Sequence, residues 1–253
     1  MTYALCEQRG RVGLITLNRP ERLNAISGAL MRDFHAALVK VQTNPDISVI
    51  LLSGNGRAFC AGDDLKEFGD QTRSDQAVAD HIGAIQTITR DLMFSDRIVV
   101  GAVHGFAVGG GFEWLLNCDL VVAAEDLVAF FPEMDWGQFV TGAVTYLLPQ
   151  AVGYQQAMEL MLLGERKSAA DLQRLGLVNR VVPREAMFST AFELAQRIAD
   201  KSAASTSALK RLINRRLSNI EAALKLEEEE TILAFKRPDA AVRVQAFVNR
   251  KKS

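Results

Sequence analysis

The chain has 253 residues, 49% apolar and 23% charged, and its 29 basic and 30 acidic residues leave a formal net charge of −1. That is the make-up of an ordinary globular protein with a sizeable core, built as one large domain or two unequal ones. Near-zero charge offers no basic face to nucleic acid or to a membrane surface, and no apolar run approaches the ~18 residues that cross a bilayer. Cys6, Cys60 and Cys118 are odd in number and too scattered for a metal cluster, so no metal site is expected. Reduced thiols and the lack of a basic-then-apolar leader pattern point to the cytoplasm.

In chain order, Arg11–Leu17 alternates apolar and polar residues as a strand does, and Asn18-Arg19-Pro20-Glu21-Arg22 breaks it. Ser27 can cap a helix reaching about Gln42, with Leu30, Phe34, Leu38 and Val41 on its apolar face. The apolar strand Ile47–Leu52 runs into a long glycine-bearing loop, Gly54–Leu65, and Lys66–Thr72 reads as a short helix or loop. Ser74 or Asp75 opens a helix to about Phe94 that buries Ile82, Ile85, Ile88 and Leu92. A buried strand, Ile98–Val103, leads through Gly105 to Gly109, Gly110 and Gly111, and a helix follows over Glu113–Asp119. Strands then read at Leu120–Ala124, around Phe130-Phe131, and at Val178–Val182. Helices read at Ala143–Leu148, Gln155–Leu163, Ala169–Leu175 and Glu185–Lys201. Alternating strands and helices argue for an α/β fold with parallel pairing over residues 1–183. From Arg184 no strand pattern appears, so 184–253 reads as a helical C-terminal segment, and Glu227–Glu230 as a solvated helix face.

Two glycine loops follow strands: Ala61-Gly62-Asp63 and Gly109-Gly110-Gly111. Neighbouring parallel strands would deliver both to the same edge of the sheet, where α/β proteins gather their sites. The N–H groups of Asp63 and Gly110 could then converge on one oxygen as an oxyanion hole. Glu113 and Glu133, both in apolar surroundings, are candidates for general acid–base work; the plain alternatives are a helix-dipole partner and a surface charge. His35, His81 and His104 share no ligand spacing, His104 reads as a satisfied core histidine, and the adjacent side chains of Asp63-Asp64 should diverge. A dinucleotide site lacks its spacing and its acidic partner.

Four stretches carry a resemblance: GNGRAFCAGDDLKEF from Gly54, AVHGFAVGGGFEWLLNCDLVVAA from Ala102, PEMDWG from Pro132, and LLGERKSAADLQRLGLVNRVVP from Leu162. In order and spacing they resemble the crotonase family of enoyl-CoA hydratases, isomerases and relatives. The resemblance implies a fold of repeated ββα units with a helical C-terminal segment, in a homotrimer or a hexamer of paired trimers. It implies an acyl-CoA thioester as substrate, with no separate cofactor, no nucleic acid and no membrane partner. It places the oxyanion donors on Asp63 and Gly110 and the catalytic pair on Glu113 and Glu133. The CoA cleft falls on Arg22, Leu23, Ala25, Ala61 and Leu65, with Lys66 and the C-terminal Arg250, or Lys251, toward the phosphates. The reaction expected is hydration of a 2-enoyl-CoA. A Δ3,Δ2-enoyl-CoA isomerase, another acyl-CoA enzyme of this type, and a silent acyl-CoA-binding scaffold are the alternatives. Three departures stand out. Gln138–Val144 replaces a proline-glycine-rich turn, Trp136 and Phe139 add bulk where the acyl chain should lie, and Asp63 replaces a small residue.

Overall fold

The computed structural model describes residues 2–67, 74–215 and 219–237, together with 242, 243 and 246. Arg250, Lys251 and most of Lys66–Thr72 therefore lie outside the described residues. A six-stranded sheet forms the centre, in the order β1-β2-β3-β4-β6-β9. β1 (Ala4–Arg9) and β2 (Val12–Leu17) make an antiparallel hairpin with Ala4 opposite Leu17. β3 (Val49–Gly54), β4 (Ile98–Val103), β6 (Leu120–Ala124) and β9 (Arg180–Val182) then add in parallel.

Side chains alternate across a strand, and here the alternation divides two cores. Ile15, Leu17, Ile50, Leu52, Val99, Val103, Val121 and Ala123 face one side. There α1 (Gly28–Thr43) and α2 (Asp75–Met93) cover them with Leu30, Phe34, Leu38, Ile82 and Ile85. Both helices begin where the sequence indicates, because the Ser27 and Ser74 hydroxyls accept the Leu30 and Ala77 N–H groups at 3.1 Å. On the other side, Val12, Leu14, Val49, Leu51, Val100, Ala102, Val122 and Ala124 meet Met187, Ala191, Ala195 and Ala199. These four recur every fourth residue along α7 (Arg184–Ala199), and three of them are alanines, which lets that helix lie close on the sheet. The first helix of the C-terminal segment thus belongs to the sheet's own core.

A second, three-stranded sheet joins β5 (Phe106–Val108), β7 (Val128–Phe130) and β8 (Lys167–Ser168), with β5 and β7 parallel. Between them lie α3 (Gly110–Leu116), a 3-10 turn (Glu133–Trp136), α4 (Val144–Val152) and α5 (Tyr154–Leu163). α6 (Ala169–Arg174) follows β8, and α8 (Ala203–Arg215) and α9 (Ile220–Lys236) complete the chain's described elements. The strand expected around Phe130-Phe131 lies at β7, and the glycine-led helix starts at Gly110, earlier than Glu113. β1, β5 and β8 were not apparent from pattern, and α8 falls within the expected helical C-terminal segment without bounds of its own. β1 is largely solvent-facing, β5 and β8 are three and two residues long, and α8 buries only Lys210.

Lys210 is how a polar helix is held. Its Nζ donates to Leu92 O at 2.7 Å, Arg97 O at 3.0 Å and Asp119 Oδ2 at 2.7 Å, and Asp119 also accepts the Val99 N–H. Lys210→Met leaves two carbonyls and a carboxylate short of their donor. We expect a loss of about 3 kcal/mol in urea unfolding, the low end for a broken buried pair because Asp119 keeps some solvent.

Candidate active site

The two glycine loops do meet. Cys60 donates to Phe106 O and accepts from the Val108 N–H, both at 3.0 Å, so the loop after β3 runs beside β5. This sets Ala61-Gly62-Asp63 against Val108-Gly109-Gly110. Ile26 then pins the first loop from behind: its N–H donates to Gly62 O and its carbonyl accepts from Asp64. In a parallel bridge the residue between those contacts directs its own N–H the other way, so the Asp63 N–H turns from Ile26. Gly110 is the first residue of α3, and its N–H has no intrahelical acceptor. Both residues line one cavity.

Two glutamates complete that cavity. Glu113 stands one turn into α3, on the face of Gly110, and is 1% exposed. Its Oε1 accepts the Thr141 N–H at 2.7 Å and its Oε2 the Thr141 hydroxyl at 2.8 Å. Glu133 opens the 3-10 turn; the residue is partly exposed, yet its Oε2 is buried and has no protein hydrogen-bond partner. Two glycines make the room. Gly109, at φ 51°, leaves space that Glu133 Oε1 fills, and Gly142, at φ 66°, would place a Cβ 2.8 Å from Glu113 Oε2. Burial pushes Glu113 up to about 8 against the pull of the Thr141 bonds, with Glu227 and Asp63 adding repulsion. Burial, then the charge of Glu113, holds Glu133 well above the usual carboxylate range. Such a pair can retain one proton near neutrality, which lets it serve as both acid and base.

Glu227 is a correction to the sequence reading. The run Glu227–Glu230 was expected to be solvated, but Glu227 is 1% exposed and caps α4 from a distance. Its Oε2 accepts the Ala143 N–H at 2.8 Å, and its Oε1 accepts the Thr145 N–H at 2.8 Å and hydroxyl at 2.6 Å. Ala143, at the helix start, has no side chain able to do this. The altered loop is therefore fastened at Thr141 by Glu113, at Gly142 O by Asn117, and at Ala143 by Glu227. A signal was available. Ile220, Leu224, Glu227, Thr231 and Ala234 form the buried stripe of α9, and Glu227 falls on it.

The remaining expected residues gather around this centre. Leu23 O accepts the Ala61 N–H at 3.0 Å, and Ala25 is buried beside Ile26. Ala61, Leu65, Trp136 and Phe139 line the cavity, while Arg22 and Lys66 are exposed near it in sequence. Arg19 and Asn24, missed in the sequence, lock these loops. Arg19 forms a buried ion pair with Asp64 at 2.7 Å, and Asn24 Nδ2 donates to Asn55 O and Ala58 O. Asp63 diverges from Asp64, as expected, toward His81, 3.5 Å away. His104 Nε2 donates to Gly56 O at 3.1 Å, and His104 lies outside the cavity lining.

Fold and site together define an α/β enzyme of the crotonase type. The family profile described as Enoyl-CoA hydratase/isomerase matches residues 7–253, and the chain belongs to that family. A probable enoyl-CoA hydratase of Mycobacterium tuberculosis is 34% identical over 260 residues, covering 99% of this chain and 97% of that one. One of Rhizobium meliloti is 35% identical over 98% of this chain and 96% of its own length. The crystal structure of an enoyl-CoA hydratase/isomerase from Mycobacterium paratuberculosis superposes with a TM-score of 0.90 at 26% identity, over 97% of this chain and 98% of that one. No helix among the described residues is long and apolar enough to cross a membrane.

The raised carboxyls give stability a sign. Glu227 rises to about 7 and Glu113 to about 8, so between their unfolded range and those values the folded chain holds more protons than the unfolded one. Their contribution is full at acid pH and is lost as pH rises through 7 and 8, by up to ~1.4 kcal/mol per pH unit per group. Urea midpoints should fall between about pH 4.5 and about pH 8, and Glu227→Gln should flatten the part of that fall below about pH 7. An equally steep fall in the variant would show that Glu227 is not a source of it.

Proposed function

We propose that the chain hydrates a 2-enoyl-CoA. The observation that carries the reading is the convergence, on one cavity, of two free backbone donors and two desolvated glutamates with unlike partners. CoA runs along Arg22, Leu23, Ala25, Ala61 and Leu65, with Lys66 and Arg250 toward its phosphates. The thioester oxygen sits between the Asp63 and Gly110 N–H groups. Glu113, its oxygens steadied by Thr141, holds a water, and Glu133, with Oε2 free of protein partners, takes that water's proton. As the water oxygen bonds C3, the C2–C3 electron pair moves onto the thioester as an enolate that the two N–H groups hold. Glu133 then returns a proton to C2, and the enolate collapses to the 3-hydroxyacyl-CoA. Two acceptors on one water are what hydration needs, because an unoriented water forfeits the positioning advantage. The trimer or hexamer implied by the resemblance fits the exposed Leu209, Leu212 and Ile213 of α8, a face left uncovered among the described residues.

Loss of conjugated-thioester absorbance on mixing with a 2-enoyl-CoA is the direct test. Glu113→Gln and Glu133→Gln should each lower kcat by roughly 10²-fold or more. Gly110→Pro, checked for folding, should lose a comparable factor, since one oxyanion donor supplies ~2.7–4 kcal/mol of transition-state stabilisation. Turnover of only a 3-enoyl-CoA, indifferent to Glu113→Gln, would replace hydration with isomerisation. Tight CoA-ester binding with no turnover would leave a scaffold.

A further inference from the structure

The cavity is more polar than a hydrocarbon tail requires. Gln138 lines it, is 8% exposed, and neither its Nε2 nor its Oε1 has a protein hydrogen-bond partner. Asp63 also lines it, with a buried Oδ1 that makes no protein hydrogen bond. Behind Asp63 stands His81, 7% exposed, whose Nε2 lies 3.5 Å from that oxygen: close enough for charge attraction, too far for a good hydrogen bond. The other walls are apolar, among them Leu65, Ile82, Val108, Trp136 and Phe139. Buried amides and carboxylates without partners are penalised, so a slot made only for methylenes is better lined by leucine or methionine.

We propose that Gln138 and Asp63 form a subsite for a hydroxyl group on the acyl tail, making the preferred substrate a short, hydroxylated 2-enoyl-CoA. This rests on the hydratase reading above and names its substrate class. A carboxamide offers one donor pair and one acceptor, and a hydroxyl answers both at once. Asp63 accepts the same kind of donor. Asp63 offers oxygens that accept, so a tail ending in a carboxylate, which also only accepts, is not served by it, whereas a hydroxyl that donates is. An ammonium tail would leave Gln138 Nε2 without an acceptor and would face His81. Burial draws the His81 pKa down, but Asp63 and then Glu67 more than offset this and raise it. The cavity's free volume is about 40 Å³, room for about three water-sized groups. That small volume favours a short tail over a long chain.

The test compares trans-4-hydroxybut-2-enoyl-CoA with but-2-enoyl-CoA on the whole protein. The trans double bond keeps the hydroxyl from closing on the thioester. Both kcat/KM on the wild type and dissociation constants on folded Glu133→Gln protein are measured. The hydroxylated ester should win by at least about tenfold in each, because a site built to hydrogen-bond a hydroxyl rejects the analogue that lacks it. Gln138→Leu should erase that advantage and improve but-2-enoyl-CoA, and Gln138→Met serves if the leucine variant does not fold. Equal or poorer use of the hydroxylated ester overturns the proposal while hydration stands. So does a Gln138→Leu variant that weakens both esters alike. If neither ester is turned over, wild-type dissociation constants decide alone: a tenfold gap keeps the subsite while the hydratase reading falls. Succinyl-CoA, with its terminal carboxylate, should bind more weakly than butyryl-CoA, and tighter binding would also sink the proposal.

Discussion

Glu113, Glu133 and Glu227 are all withdrawn from water at or behind one cavity, and an ionised carboxylate moved inside a protein is penalised far more than one hydrogen bond returns. Each is accommodated differently. Glu227 receives three donors from the start of α4, Glu113 receives two from Thr141, and Glu133 keeps a buried oxygen with no protein donor. The gradient runs from fully satisfied at the back to unsatisfied at the reacting face. That ordering is what a site needs if one carboxyl must move a proton and the others must hold still.

The backbone around these groups follows from the same requirement. Gly109 and Gly142 occur where a Cβ would occupy the space of a glutamate oxygen or of Glu113 itself. Ala143 takes φ 61° with no glycine to ease it, a conformation that persists only if its surroundings fix it. Glu227 and Asn117 supply that fixing from α9 and α3. The C-terminal helix thus acts on the catalytic wall through a loop it caps, without itself supplying a reacting group.

How much of this was legible in the sequence depended on the range of the interaction. Ser27 and Ser74 announced their helices, since a cap is satisfied within three residues, and the apolar runs of β3 and β4 announced a parallel sheet. The glycine loops and Glu113 and Glu133 could be paired only because four stretches matched a family in order. Thr141, Glu227, Arg19 and Lys210 stayed hidden. Their partners lie 28, 82–84, 45 and 91 or more positions away, and nothing local distinguishes a glutamate that caps a distant helix from one in a solvated run. The turn at Gln138–Val144 looked like a departure that endangered the site. In the fold it supplies the Thr141 hydroxyl as a second donor to Glu113.

That second donor has a consequence for how the divergent loop should be understood. A glycine in place of Thr141 could offer Glu113 only its N–H, leaving Oε2 to other partners. With the hydroxyl present, both oxygens are directed and the carboxylate plane is fixed, so Glu113 is better suited to hold a water than to swing toward carbon. In the hydration we propose, proton movement then falls to Glu133, the carboxyl whose buried oxygen is still unclaimed. The same loop brings in Gln138 with both amide atoms unclaimed. One short segment thus carries both the hydroxyl that fixes Glu113 and the unpartnered amide that the proposed subsite would use.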